Sequence, residues 1–267
     1  MRRHTNIIKA ILIAVFTGTF FTFPLGAESG NIDTDDPVEM FAEGNRAYNE
    51  GRFDEAISKY ERILETGHVS AELHFNLGNA YFRNGRPGKA VLHYKYASYL
   101  DPRDADIAGN IRYAMQITGA IQAEPGLLER AARFLSAEEW IAVSTASYWL
   151  LFISLGISSA IAGRKRSIFR RMAVIFAAIM FAGLTGVWHW MSFSLRPEVV
   201  VVKPGQEVLF APLEGATVHF GAPEGTVGQL LDRSGNWIRI AVGGNRGWIM
   251  DTAAEPVYPV SVTRTSI

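Results

Sequence analysis

The most prominent pattern along the chain is a pair of long uncharged runs in its second half. Residues 141–162 carry no charged side chain, and residues 172–195 carry only His189 as an ionisable group. As helices these runs would extend over about 33 and 36 Å, so each exceeds the roughly 30 Å hydrocarbon core of a bilayer. The pattern predicts two transmembrane helices, with a pair of buried helices in a soluble protein as the alternative.

A short basic segment joins the two runs. Residues 163–171 contain no acid and five bases, namely Arg164, Lys165, Arg166, Arg170 and Arg171. Because loops rich in Lys and Arg stay on the cytoplasmic side of a membrane, we expect a helical hairpin with a basic cytoplasmic loop. The soluble domains on both sides of the hairpin would then lie outside the cytoplasm.

The first residues have the pattern of a secretory signal peptide. Three bases among the first nine residues precede an apolar stretch from residue 10 to 23, and Ala27 ends a short segment containing Pro and Gly. An apolar stretch of this length is short for a membrane-spanning helix and typical of a signal peptide. We predict a signal peptide over residues 1–27, or an uncleaved anchor as the alternative, and then an acidic linker over residues 28–36.

Before the hairpin, the sequence repeats itself with a period of 34 residues. The matching pairs are Gly44 and Gly78, Asn45 and Asn79, Gly51 and Gly85, Arg52 and Arg86, Ala56 and Ala90, and Tyr60 and Tyr94. Each copy predicts two helices around a Gly-containing turn, at 39–49 and 53–65 and then at 71–83 and 87–100. A further amphipathic helix over 104–117 would close the stack. We expect the matched Gly and Ala residues to let paired helices approach closely, with the matched tyrosines filling the space beside them.

This period and these positions resemble the tetratricopeptide repeat family. The signature positions in the second copy are Leu77, Gly78, Tyr81, Ala90, Tyr94, Ala97 and Pro102. The first copy departs from the signature at Glu43 and His68. The resemblance implies an all-α repeat domain, which we place at residues 37–118 with its closing helix, before a linker over residues 119–140.

The resemblance also implies a concave face formed by the first helix of each pair. The residues predicted on this face are Phe41, Asn45, Tyr48, Phe75, Asn76, Asn79, Phe82, Asn110 and Tyr113. Asn side chains there can hydrogen-bond an extended peptide between flanking aromatic rings. The alternative is that the rings pack between helices and the Asn residues brace turns. Asp106 and Asn110 stand where relatives that bind a C-terminal carboxylate use basic residues, so we expect no carboxylate clamp.

After residue 195 the sequence changes to short β-rich runs separated by Gly and Pro. The predicted strands are 198–203, 207–210, 216–220, 226–231, 237–242 and 247–250. This spacing is typical of a small all-β barrel. The segments 223–227, 236–240 and 246–249 resemble a bacterial SH3-type domain, which we place at residues 196–256 with a tail at 257–267.

Two tryptophans are candidate ligand-binding residues in this SH3-like barrel. Trp237 and Trp248 lie on two successive predicted strands. A peptide or glycan groove needs such rings partly exposed, and the alternative is that one or both form the core of the domain. Bacterial SH3-type domains often bind cell-wall peptides, so the resemblance also implies peptidoglycan as a candidate ligand.

Composition excludes several classes of function. The 267 residues include 26 Lys and Arg against 26 Asp and Glu, and no Cys. Balanced charge gives no electrostatic drive toward nucleic acid, and without Cys there is no disulfide, catalytic thiol or thiolate-bound metal. The six histidines form no zinc pattern, and the turn at residues 85–89 lacks the first Gly and the Ser or Thr of a phosphate loop. We predict no catalytic site, metal or cofactor.

The order of these parts resembles the BatE proteins, the aerotolerance-associated members of the Bat family. The Gly78-Asn79-Ala80-Tyr81 run and Asn110 carry this resemblance within the repeats, and it covers nearly the whole chain after the signal peptide. It implies work beside membrane-bound von Willebrand-type Bat proteins and, indirectly, a MoxR-type ATPase. It also implies a part in oxidative stress tolerance or envelope maintenance.

These expectations combine into one hypothesis of function. The chain would be a multidomain membrane protein of the bacterial inner membrane, with two membrane passes and with both soluble domains in the periplasm. It would act as a non-catalytic scaffold whose repeat groove binds protein partners. The alternative is an envelope sensor whose SH3-like domain binds peptidoglycan.

Overall fold

The computed structural model describes residues 36–123, 126–195 and 197–257. These residues form two compact units, one from residues 135–190 and the other from the described residues on both sides of that segment. The predicted signal peptide, all but one residue of the acidic linker and nearly all of the tail lie outside the described residues.

Five helices form the repeat region of the discontinuous unit. They are α1 (Pro37–Asn49), α2 (Phe53–Glu65), α3 (Ala71–Arg83), α4 (Pro87–Leu100) and α5 (Ala105–Thr118). Local signals explain several ends, because Asp36, Ser70 and Asp104 accept backbone N–H groups at helix starts. Gly119, with φ of 68°, ends α5. The all-α repeat region predicted from the sequence is confirmed.

The core of the repeat region lies between successive helices. Its most enclosed side chains include Ala47, Ala56, Tyr60, Leu77, Ala80, Ala90, Val91 and Ala97. The last helix, α5, buries Ile107, Ala114 and Met115 and packs against α4. It therefore covers the apolar side of the final pair, as a terminal helix in a repeat stack must.

Seven strands after residue 197 form one antiparallel sheet. They are β1 (Glu198–Val201), β2 (Gln206–Leu209), β3 (Val218–Ala222), β4 (Val227–Ser234), β5 (Trp237–Val242), β6 (Asn245–Met250) and β7 (Ala254–Val257). Their order in the sheet is β3-β2-β6-β5-β4-β1-β7. The core of the sheet consists of Val199, Val201, Val208, Ala222, Ile238, Ile240, Val242, Ile249, Ala253 and Ala254.

The sheet is open, and this corrects the predicted barrel. Within the described residues β3 pairs only with β2, and β7 pairs only with β1. The strand β7 was not predicted from the sequence. It pairs with β1 instead of closing the sheet onto β3, and it packs against α4.

The repeat region and the sheet pack directly against each other along α4. The backbone N–H of Gly88 donates to Glu224 Oε1 at 2.9 Å, and the Tyr96 hydroxyl donates to the Pro256 carbonyl at 3.2 Å. A Cβ atom on Gly88 would lie only 2.7 Å from the carbonyl oxygen of Val201, so the two backbones are in close contact. The sequence predicted these parts as separate domains, whereas in the structure they make one unit that the hairpin interrupts.

A cluster of charged and polar side chains is buried in this junction. Glu198 accepts from Lys95 Nζ at 2.8 Å, from the Tyr99 hydroxyl at 2.6 Å and from an Arg133 guanidinium nitrogen at 2.9 Å. Arg133 ends α6 (Leu127–Arg133), a short helix within the segment predicted as a linker. Burial alone would raise the pKa of Glu198, but the positive charges of Lys95 and Arg133 outweigh burial and lower that pKa to about 2.

Two long helices form the other unit. They are α7 (Ala137–Ala160) and α8 (Arg164–Leu195), and both are long and apolar enough to cross a membrane by length and composition. The basic segment predicted as a loop is helical from Arg164 onward, so the turn is reduced to residues 161–163. Arg and Lys are good helix formers, and Gly163 already makes the turn with φ of 73°.

The two helices of this hairpin place small residues inside and large apolar residues outside. The buried side chains of α7 are Ser144, Ser147, Ser154 and Ser158. Gly183 of α8 lies against Ser144, and Gly186 lies against the Trp140 ring. The exposed apolar side chains include Trp149, Phe152, Ile153, Val174, Ile175, Phe181 and Trp188. This distribution is the reverse of a soluble helix pair and is typical of helices that pack within a membrane.

Candidate partner-binding groove

In each helical pair a glycine faces a tyrosine ring at short range. A Cβ atom on Gly44 would lie 2.6 Å from the Tyr60 ring, and a Cβ atom on Gly78 would lie 2.6 Å from the Tyr94 ring. Both glycines are buried. This is the close helix approach expected from the repeat, and it positions each tyrosine hydroxyl beside the first helix of its pair.

We expect Gly78→Ala to lower the free energy of unfolding by about 1–3 kcal/mol, because the added methyl group overlaps the Tyr94 ring. The matched control is Gly109→Ala in α5, where a Cβ atom would meet nothing within 4 Å. That substitution should raise the free energy by about 0.5–1 kcal/mol through helix propensity. Denaturation followed by circular dichroism measures both, and a change of the same sign in the two variants would contradict the close-packing argument.

The tyrosine hydroxyl of the first pair belongs to a three-residue hydrogen-bonded unit. Tyr60 donates to Asn45 Oδ1 at 2.6 Å, and Asn76 Nδ2 donates to the same oxygen at 3.2 Å. This unit joins α1, α2 and α3. It therefore fixes the first helix of the second repeat relative to both helices of the first.

The same unit recurs one period later. Tyr94 donates to Asn79 Oδ1 at 2.8 Å, and Asn110 Nδ2 donates to that oxygen at 2.9 Å. The four asparagines thus join neighbouring repeats, whereas the alternative predicted for them was that they brace turns. Bracing uses the side-chain oxygens of Asn45 and Asn79 and holds all four amide groups along one face.

A pocket of about 280 Å³ opens on this face. Its lining residues are Asn45, Tyr48, Asn49, Tyr60, Asn76 and Asn79. Four of the six are asparagines, which carry no charge, and burial together with nearby Tyr48 and Glu72 raises the pKa of Tyr60 to about 12. The pocket therefore presents amide and hydroxyl groups, which suit the uncharged backbone of a peptide better than a carboxylate.

Two predicted aromatic residues pack behind the pocket. The Phe41 and Tyr60 ring centroids are 5.8 Å apart, and the Phe75 and Tyr94 centroids are 5.9 Å apart. Because these pairs are related by one period, each phenylalanine supports the tyrosine of its own helical pair. Phe41 and Phe75 therefore pack between helices, which is the alternative predicted for the aromatic residues.

The remaining predicted aromatic residues lie at the open side of the face. The Phe82 and Tyr113 ring centroids are 5.6 Å apart, and 57% of Tyr113 is exposed on α5. Tyr48 meets the edge of Phe53 at 5.6 Å while lining the pocket. These rings extend the polar pocket with an apolar surface.

Two pocket residues were missed by reasoning from the sequence. The sequence predicts Tyr60 only as a side chain that fills space beside Gly44. Its match to Tyr94 was the available signal, because both tyrosine hydroxyls donate to an Asn side chain. Asn49 gave no repeat signal, because the residue one period later is Arg83. The pocket thus depends on one residue of the second helix and on one at the end of α1.

Trp237 and Trp248 lie on the face of the sheet opposite its core. They alternate with Ile238 and Ile249, which face the core, and both tryptophans are half-buried. The Arg239 guanidinium carbon is 5.9 Å from the centroid of the Trp248 ring. Neither ring belongs to the described core, and a groove for a peptide or glycan at these residues stays a prediction.

The residues that the structure describes contain no group of three His, Asp or Glu side chains placed to hold a metal ion. Two histidines do meet in the core between α3 and α4, where His74 Nδ1 and His93 Nδ1 are 3.1 Å apart. Burial lowers the pKa of His74 to about 4, and burial together with His74 and Lys89 holds the pKa of His93 well below its usual 6.5. The pair is therefore neutral at neutral pH.

The groove lies in a segment that matches a known family. Residues 41–105 match the family model for the tetratricopeptide repeat, from α1 to the first residue of α5. This part of the chain is therefore an all-α region similar to tetratricopeptide repeats, and domains of that family generally bind protein partners and are typically non-catalytic scaffolds. Among curated proteins, none matches the chain.

Proposed function

We propose that this chain is a membrane-anchored, non-catalytic scaffold whose repeat groove binds an extended segment of a protein partner. The observation that carries the proposal is the uncharged pocket beside the repeated Asn-Tyr-Asn units. A rigid row of amides is suited to an extended peptide, because it is already ordered before the peptide binds.

The hydrogen bonds within the units leave groups available to a peptide. Within the described residues, Asn45 and Asn79 accept through their oxygens, so their amide N–H groups remain as donors on the groove face. Asn76 donates to Asn45, and its side-chain oxygen remains as an acceptor. Donors and an acceptor on neighbouring helices match the alternating C=O and N–H groups of an extended chain.

The exposed rings beside the pocket add an apolar anchor. Tyr113 is largely exposed and rests against Phe82, so a partner side chain can cover both rings. Buried aromatic contacts commonly supply most of the affinity in peptide grooves. The preferred partner segment would therefore carry an apolar side chain next to a stretch bound through its backbone.

Anchoring by the α7–α8 hairpin is supported by its inverted pattern of small buried and large exposed side chains. The contacts of Glu198 with Lys95 and Arg133 add a second argument. They join the chain before the hairpin to the chain after it, so both parts must lie on one side of any membrane. Two crossings meet that requirement, and the basic residues from Arg164 onward favour a cytoplasmic turn and periplasmic soluble parts.

The resemblance to BatE proteins extends this proposal to particular partners. Membrane-bound von Willebrand-type Bat proteins would bind the groove, and a MoxR-type ATPase would act on the complex indirectly. Oxidative stress tolerance or envelope maintenance would be the process that the scaffold serves. The resemblance alone suggests these partners, whereas the pocket and the Asn-Tyr-Asn units of this chain support peptide binding in the groove.

Site-specific photo-crosslinking in intact cells tests the proposal. We expect a photoreactive residue at Asn49 or Tyr113, both exposed on the groove face, to link a defined protein to the chain. The control position is Ser58, which is exposed on the second helix of the first pair. The same products from Ser58, or none from Asn49 and Tyr113, would contradict binding in the groove.

A further inference from the structure

The short helix α6 exposes two large apolar side chains beside Arg130, and it turns Glu129 and Arg133 toward the junction. Leu127 is 84% exposed and Phe134, directly after the helix, is 64% exposed. The opposite side carries Arg133, which contacts Glu129 and Glu198 in the buried junction. The two large apolar residues are seven positions apart, so they share one side of the helix. In a protein surrounded only by water, this orientation would expose the large apolar side chains of Leu127 and Phe134 to solvent.

The open end of the hairpin carries the features of a membrane boundary. The Trp190 indole N–H donates to the Leu135 carbonyl at 3.1 Å, and Trp188 is 70% exposed. Tryptophan is enriched where the hydrocarbon core meets the headgroups. This bond therefore assigns Leu135 to the boundary level, and Phe134 is its covalent neighbour.

We propose that α6 lies on the bilayer surface, with Leu127 and Phe134 inserted among the lipid headgroups. The proposal rests on membrane insertion of the hairpin, which fixes Leu135 at the boundary. The helix of seven residues is about 10 Å long, so both apolar side chains can reach one surface when it lies flat. An interfacial helix buries its apolar face by about 5–10 Å, which the length of these side chains matches.

The occupant of this face is lipid rather than a protein partner because of its position in the chain. Only Leu135 separates Phe134 from Ser136, the residue that caps the first membrane helix. On the proposed insertion of the hairpin, Phe134 is therefore two residues from the N-cap of a membrane-spanning helix. Because Arg133 of α6 contacts Glu198, the same helix would also link the membrane surface to the junction of the repeat region and the sheet.

Fluorescence of single labels in the full chain tests the proposal. The chain has no Cys, so Leu127→Cys and Phe134→Cys each give one site for an environment-sensitive fluorophore. The labelled chain is placed in vesicles of phosphatidylcholine and phosphatidylglycerol, with nitroxide lipids as quenchers. We expect both labels to emit at a shorter wavelength than the same fluorophore does in water. We also expect a shallow nitroxide to quench them more strongly than a nitroxide deep in the acyl chains.

Two control positions separate this proposal from the one on which it rests. Val38→Cys, 77% exposed on α1, should give water-like emission, and Phe152→Cys, 52% exposed on α7, should be quenched most by the deep nitroxide. Quenching at Phe152 with water-like emission at Leu127 and Phe134 would overturn the surface role of α6 alone. No quenching at Phe152 would overturn membrane insertion and the surface role together.

Discussion

Replacing Glu198 by Gln should lower the free energy of unfolding by about 3–5 kcal/mol, because it removes the negative charge between two buried bases. The side chain of Lys95 is 4% exposed, and its ammonium group would lose the carboxylate that lies 2.8 Å away. Arg133 would lose one of its two carboxylate partners. Chemical denaturation of the purified chain in mild detergent measures the loss.

A second substitution and a control make this expectation specific. Adding Lys95→Met to Glu198→Gln should recover part of the lost stability, because it removes the uncompensated charge. The control is Glu255→Gln, which breaks the half-exposed ion pair with Lys89 at the same junction. Such a pair contributes about 1 kcal/mol or less. Equal losses from Glu198→Gln and Glu255→Gln would show that the buried cluster contributes no more to the free energy of unfolding than the half-exposed ion pair.

Acidification should destabilise the chain between about pH 6.5 and pH 4 through the His74 and His93 pair. Burial holds the pKa of both groups below the usual 6.5, to about 4 for His74. The unfolded chain therefore takes up protons at a higher pH than the folded chain. Stability is fully present above pH 6.5 and falls by about 1.4 kcal/mol per pH unit for each histidine as the pH decreases.

Among the described residues, the histidine pair is surrounded by aromatic rings and by one basic side chain. The rings that stack on these histidines are those of Tyr96 and Tyr81, and the charged group acting on His93 is Lys89. A double His74→Gln and His93→Gln variant should flatten the dependence of stability on pH, whatever its stability at pH 7. Its control is His68→Gln on an exposed loop, which should keep the slope, and an unchanged slope in the double variant would refute the assignment.

The helices of the repeat region could be predicted because their signals are local. The 34-residue register predicts all five helices to within two residues at each end, and it reproduces α2, α3 and α4 at both ends. The face carrying Asn45 and Asn79 followed from the same register. What the register does not determine is whether a side-chain oxygen faces a peptide or the hydroxyl of a neighbouring tyrosine.

The junction could not be predicted, because its contacts join residues far apart in the sequence. Lys95 and Glu198 are separated by the entire hairpin, and neither has a local signal that marks it for burial. Arg133 lies in a segment whose composition resembles a linker. The open sheet was missed for a related reason, since β7 contains Pro256 and packs against β1 and α4, which lie far from it in the sequence.

The discontinuous unit has a consequence for the order of events during synthesis. Glu198 follows both helices of the hairpin in the chain, so it is synthesised after Lys95 and Arg133 and after the segment proposed to enter the membrane. On the proposed topology, a chain whose second helix does not return across the membrane cannot bring these groups together. Completion of the buried cluster would therefore report correct insertion, and a fragment that ends before the hairpin would keep two bases without their carboxylate.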